Sequence, residues 1–252
     1  MPQVKLIVEY DGGGFHGWQK QPGLRTVQSE LERALSTVCR QEVGPLHAAG
    51  RTDSGVHARG QVVTFSVENP PEMFQIIGGV SHLMKGELAV VSAELCPDSF
   101  HPGHDCTHKQ YSYRIMNRPA PPVLEARRMW HLAPLLNVMK MREDARWLVG
   151  THDFTSFKDS ECCSKTPVKT IYAISVERAS DVIEIRVVGS GFLKQMVRNI
   201  VGTLVDLNRN RLHGRSMSDI LQARNRRLAG VTAPAHGLCM DWIAYDGPPV
   251  TS

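Results

Sequence analysis

Gly50-Arg51-Thr52-Asp53-Ser54-Gly55-Val56-His57 is a polar turn set between two apolar stretches. The flanks, 46–50 and 60–67, read as short buried strands, the second alternating through Val63, Phe65 and Val67. Upstream, residues 3–10 alternate as a strand through Val4, Leu6 and Val8 and run into a loop containing Gly12-Gly13-Gly14. Thr26 suits an N-cap, and Val27, Leu31, Ala34, Leu35 and Val38 mark one face of a helix to about residue 40. Downstream, a helix over 72–84 and a strand near 88–95 complete a first α+β unit. The stretch from Pro97 to His108, rich in Pro, Gly and His, makes a boundary. A second series follows. It has strands at 108–117 and near 127–133, a helix over 137–149, and strands at 169–178 and 182–189. Helices at 191–207 and 216–223 and a strand at 238–244 close it. The reading is an α+β protein of two halves, 1–104 and 105–252, without a strict sequence repeat.

Over 252 residues, the 42% hydrophobic and 21% charged content is that of an ordinary globular chain. No apolar run approaches the ~20 residues of a bilayer span. The N-terminus enters a strand directly, without a signal or transit pattern, so the cytoplasm is the expected address. A net charge of +4 permits a nucleic-acid partner without demanding one. Between residues 194 and 227 lie Lys194, Arg198, Arg209, Arg211, Arg215, Arg224, Arg226 and Arg227, against Asp206 and Asp219. Such a cluster is either a solvated helical face or a surface for an anionic partner. The six cysteines include no Cys-x-x-Cys and read as free thiols.

Three places could carry chemistry. Asp53 has Arg51 two positions before it, a guanidinium able to keep the carboxylate ionised; the bland alternative is a turn aspartate capping its own backbone. The segment Phe192–Gly202 has a broad apolar face, with Lys194 and Arg198 four apart on the other side, either functional or simply facing solvent. Tyr111 and Tyr113 point to one face of a strand, where rings can stack on unpaired bases or fill a core.

Other chemistries fit less well. Gly12-Gly13-Gly14 is followed by no Gly-Lys-Ser/Thr, which argues against a phosphate-binding loop. Asp53-Ser54-Gly55 matches the aspartic-protease tripeptide, but no second copy exists to make the dyad. Cys96, His101, His104, Cys106 and His108 crowd together as zinc ligands can, yet their spacing fits no finger and Pro97 and Pro102 interrupt them. A loop making polar contacts to RNA is the preferred reading there, with no metal site.

The motifs Glu9-Tyr10-Asp11-Gly12, Gly17-Trp18-Gln19, Gly50–His57 and Gly60-Gln61-Val62-Val63 come in that order along the chain. Asp153-Phe154-Thr155-Ser156-Phe157, Arg198-Asn199-Ile200-Val201-Gly202 and Gly237-Leu238 follow. In this order they resemble the TruA family of tRNA pseudouridine synthases, from residue 4 to about 244. The resemblance implies two ferredoxin-like α/β halves with a largely antiparallel mixed sheet around a basic cleft, in a homodimer needing no cofactor or metal. It implies Asp53 as the catalytic residue, Arg198 pairing with it, Tyr111 stacking on the target base and Leu238 packing beside that base. Arg51, Lys194, His57 and Gln61 join Leu238 as the expected substrate-binding set. The implied substrate is tRNA, at uridines 38 to 40 of the anticodon arm. The chain departs from the family at Pro102-Gly103, where relatives often have Ala-Arg, and at Lys109-Gln110, where they often have two basic residues. The alternative is a non-catalytic RNA-binding protein on the same scaffold.

Overall fold

The structure is a computed structural model and describes residues 1–247; residues 248–252, the end of the expected second half, lie outside them. Ten strands, mostly paired antiparallel, and five α-helices make it an α+β protein among the described residues. The chain divides into two compact units, one of Met1–Thr107 with Met240–Asp246, the other running over His108–Cys239.

In the first unit β1 (Gln3–Tyr10) lies between β4 (Leu88–Cys96) and β3 (His57–Ser66), antiparallel to both. Helix α1 (Val27–Cys39) follows β1, and α2 (Met73–Leu83) joins β3 to β4. A short β2 (His47–Ala48) pairs with β3 opposite Thr64 and Val63. The succession βαββαβ with sheet order 4-1-3-2 is a ferredoxin-like unit. β1 buries Val4, Leu6, Val8 and Tyr10 on one face, the alternation a one-sided core demands. β3 is buried at eight of ten positions, so both its faces are covered, which is why Val62, Val63, Thr64 and Phe65 read as a near-continuous run. The two helices approach closely at Gly79, where a Cβ would sit 2.8 Å from Val38. The strand expected over 46–50 shrinks to two residues. Beyond Ala49 the chain leaves the ladder, and the Gly50 carbonyl accepts from the Gln61 side chain instead of a backbone amide.

In the second unit the strand order is β7 (Gly150–Asp153), β8 (Val168–Ala179), β9 (Val182–Gly189), β5 (His108–Met116), with β6 (Trp130–His131) parallel to β5. Helix α3 (Val138–Arg146) lies on β8, where Arg142 Nε donates to the Val176 carbonyl at 2.6 Å. β7 has no counterpart in the sequence reading, because Gly-Thr-His-Asp is too short and polar to show a period. Helix α4 (Met196–Asn208) is buried over nearly its whole circumference. A Cβ at Gly202 would fall 1.7 Å from the Val231 carbonyl, so only glycine admits the crossing segment. α4 starts five residues later than the expected 191, because Gln195 takes a left-handed conformation at φ 61°. α5 (Met217–Ala223), capped by Ser216, and β10 (Leu238–Ala244) complete the chain.

Candidate active site

The turn that carries Asp53 is built mostly from backbone. The Val56 amide donates to the Asp53 carbonyl at 3.1 Å, and Gly55 sits third in the turn at φ 80°, a type II pattern that strains any side chain there. Thr52 is buried; its hydroxyl shares a 2.8 Å hydrogen bond with Tyr10 and its carbonyl accepts from the Trp18 amide at 3.0 Å. Gly17, at φ 84°, presses on the other side, and a Cβ there would lie 2.9 Å from the Thr52 carbonyl. The Ser54 hydroxyl donates to the Phe15 carbonyl at 3.2 Å. Asp53 itself is half-buried at the head of this clamp.

The glycine triplet serves the same turn. The Gly12 amide donates to His57 Nδ1 at 3.1 Å, the Gly13 amide donates to Asp11 Oδ1 at 2.9 Å, and a Cβ on Gly12 would fall 2.0 Å from the Val56 carbonyl. An imidazole accepting at Nδ1 carries its proton on Nε2. Asp11 Oδ1 also lies 3.1 Å from His57 Nδ1. Gln61 is fully buried and braces the entry to the turn, its Nε2 donating to the Gly50 carbonyl at 2.6 Å. Arg51 is exposed and makes no hydrogen bond or ion pair among the described residues, so the guanidinium two residues upstream does not neutralise Asp53.

The second unit presents Tyr111, Arg198 and Leu238. Tyr111 lies on β5 opposite Val187, 7% exposed, with the Phe192 ring edge-on at 5.1 Å. Tyr113, two residues on, is entirely buried. Its hydroxyl donates to the Pro234 carbonyl at 2.8 Å, and burial pushes the phenol far above its ordinary pKa. Both tyrosines are therefore buried, Tyr113 completely and Tyr111 nearly so. Tyr113 also requires Gly237, where a Cβ would meet the ring at 2.5 Å, and so sets the path into Leu238, itself buried.

Arg198 lies in the first turn of α4. Its Nε donates to the Ala233 carbonyl at 2.8 Å while the Ala233 amide returns to the Arg198 carbonyl at 3.2 Å. The neighbouring Asn199 is a fully buried hub. Its Nδ2 donates to the Phe157 carbonyl at 2.8 Å, and its Oδ1 accepts from Arg226 at 2.9 Å and from Thr232 at 2.7 Å. These bonds fix the segment that holds Arg198, and a polar residue on an apolar helical face was the available sign of them. The Asp153–Phe157 motif is scaffold of the same kind, with Phe154 and Phe157 buried and Ser156 donating to the Ile220 carbonyl. Lys194 does not share a helical face with Arg198, since it precedes α4. It is exposed and pairs with Glu161 at 2.7 Å and Asp159 at 3.2 Å, the two carboxylates raising its pKa.

Known proteins align with the chain over nearly its full length. A family model described as tRNA pseudouridine synthase matches residues 6–104 and 145–246. Asp53, Arg198 and Leu238 fall inside those segments and Tyr111 falls between them. The protein named tRNA pseudouridine synthase A from Syntrophotalea carbinolica is 40% identical over 247 residues, 97% of either chain. Its namesake from Bacillus pumilus is 41% identical over 245 residues, 97% of this chain and 99% of that one. The one from Anaplasma phagocytophilum is 39% identical over 246 residues, 96% and 100% of the two chains. Among solved structures, an archaeal box H/ACA sRNP Nop10-Cbf5 complex aligns with 93% of this chain at 10% identity and a TM-score of 0.36. The chain spans 47% of that longer protein, and the likeness is too slight to argue from.

Proposed function

The chain belongs to the tRNA pseudouridine synthase family, and from that premise we propose that it isomerises uridine to pseudouridine at positions 38 to 40 of the tRNA anticodon arm, with Asp53 as the catalytic carboxylate. The supporting observation is that Asp53 stands half-buried at the head of a turn clamped by Tyr10, Gly12, Gly17 and Trp18. Such preorganisation suits a group that must meet one sugar carbon.

The reaction breaks the C1′–N1 bond, turns the detached uracil and joins C1′ to C5, releasing the C5 proton. An ionised carboxylate can serve it by attacking C1′, by stabilising the electron-poor sugar carbon or by taking a sugar proton. Arg198 offsets the negative charge on the detached base. The target leaves its stack to be reached, and Tyr111 and Leu238 supply the ring and the apolar wall that receive it. Arg51 and Lys194 serve the RNA backbone as cations, while His57 and Gln61 serve the substrate through the turn they brace. In this reading the first half, 1–104, brings the acid and the second, 105–252, brings the stacking ring and the basic helix. The enzyme works as a homodimer in the cytoplasm and without metal or cofactor. No helix of the described residues is long and apolar enough to cross a membrane.

Tritium release from tRNA carrying 5-³H-uridine tests the proposal, because rejoining at C5 expels that hydrogen. Wild type should release tritium, and Asp53→Asn should lose at least on the order of 10³-fold in rate while still binding tRNA. Comparable release by the two proteins would remove Asp53 from the chemistry. Binding without any release by wild type would favour the non-catalytic RNA-binding reading.

A further inference from the structure

Apart from the Asp53 turn, the first unit gathers three imidazoles on its surface. His104 stacks on His101 with ring centroids 3.9 Å apart and planes 15° from parallel, and His47 lies 5.3 Å from His101 at 48°. His47 and His104 are exposed. The middle ring is locked. His101 Nδ1 accepts the Gly103 and His104 amides at 3.1 and 3.2 Å, which puts its proton on Nε2 and leaves it neutral. Burial, and after it the charge that His104 and His47 would carry, lower its pKa. With Nδ1 held by two amides, His101 is poorly placed to ligate a metal there.

The loop beneath the stack is pinned at several points. The His101 amide donates to Asp105 Oδ2 at 2.8 Å, and the Asp105 amide donates back to the His101 carbonyl at 3.0 Å. The Tyr245 hydroxyl donates to the Pro102 carbonyl at 3.0 Å, and Phe100 packs edge-on against the Tyr245 ring at 4.9 Å. Lys5 lies 5.5 and 5.6 Å from the centroids of those two rings. A surface held this firmly has little conformational entropy left to lose when something binds. The stack also rests on the strand that feeds the Asp53 turn. A Cβ on Gly103 would touch the Ala48 carbonyl at 3.4 Å, and Asp53 is five residues past Ala48, a reach of at most ~18 Å.

A flat ring laid parallel on a fixed neutral ring leaves one π-face open to solvent. We propose that the outer face of His104 is a stacking platform for an unpaired nucleobase of the RNA substrate, carried on the locked ring of His101. It rests on the tRNA reading above and adds a base contact outside the catalytic set. Stacking of this kind is tolerant of base identity, since every base has a π-face, and it strengthens binding without touching the reacting bond.

The test uses the full-length protein with unmodified tRNA transcript, reading equilibrium binding and tritium-release kinetics side by side. His104→Ala should weaken Kd and raise KM about tenfold with kcat unchanged. His104→Phe should restore both constants and His104→Lys should not. Unchanged Kd and KM in His104→Ala overturn the platform, and so does rescue by lysine in place of phenylalanine, which would mark a phosphate contact. His104 is exposed in a turn, and a thermal melt identical to wild type establishes that the variants fold. If wild type binds tRNA but releases no tritium, the isomerase reading fails while the Kd series still decides the platform.

Discussion

The turn at 50–57 and the start of α4 hold their charged residues by opposite means. Around Asp53 the restraint is backbone on backbone, with Gly12 and Gly17 where segments touch, Gly55 in the left-handed position of the turn and one buried hydroxyl pair between Tyr10 and Thr52. Around Arg198 the restraint is burial. Asn199 satisfies three partners inside a helix that shows solvent little beyond Arg198 and its last residue, and Ala233 closes on Arg198 from the loop. A clamped turn can hold a half-exposed acid in place without filling the space above it. A buried helix holds a cation by the depth of its packing and makes that cation hard to change without cost to the fold.

Substitutions at the crossing glycines should separate these two kinds of restraint. The largest loss of stability is expected for Gly202→Ala, whose methyl would enter the Val231 carbonyl at 1.7 Å. A cost of about 3 kcal/mol or more should lower Tm by roughly 6–12 °C in calorimetry. Gly17→Ala should cost less, about 1–2 kcal/mol for a left-handed alanine, but should displace the Thr52–Asp53 backbone. Its kcat in tritium release should fall by as much as 10²-fold. A Tm loss equal to that of Gly202→Ala, with kcat kept, would break the comparison. The smallest effect belongs to Lys194→Ala. Its ion pairs to Asp159 and Glu161 are exposed and should contribute under about 1 kcal/mol, leaving Tm within roughly 4 °C of wild type. A larger drop would mean that the acidic loop helps to hold the start of α4.

Much of the architecture was legible because it is local. The alternation of Val4, Leu6 and Val8, the helical spacing behind Thr26 and the turn at Asp53–Gly55 each depend on a few adjacent residues, and all appear where the sequence places them. The motifs also carried the family, since their order survives along the chain even where their geometry cannot be seen. What escaped was set by partners far away in sequence. Lys194 and Arg198 satisfy helical spacing, yet the left-handed Gln195 caps the start of the helix and leaves Lys194 outside it. Arg51 looked like the partner of Asp53 because it is two residues away, but its side chain is exposed. Tyr111 and Tyr113 share a strand face and are both buried, and only the structure shows the Pro234 carbonyl and Gly237 that close on Tyr113.

The amino-acid sequence by itself therefore determined the α+β class, the order of the elements and the residue types available for chemistry, because periodicity and turn propensity act over a few residues. Tertiary structure alone decided that Gly12 is packed under Val56, that Asn199 is a hub, that β2 stops at Ala48 and that three imidazoles from residues 47 to 104 meet on one surface. Those outcomes depend on steric exclusion and hydrogen bonds between segments tens of residues apart, whose spacing is set only when the strands and helices of each unit close on their core.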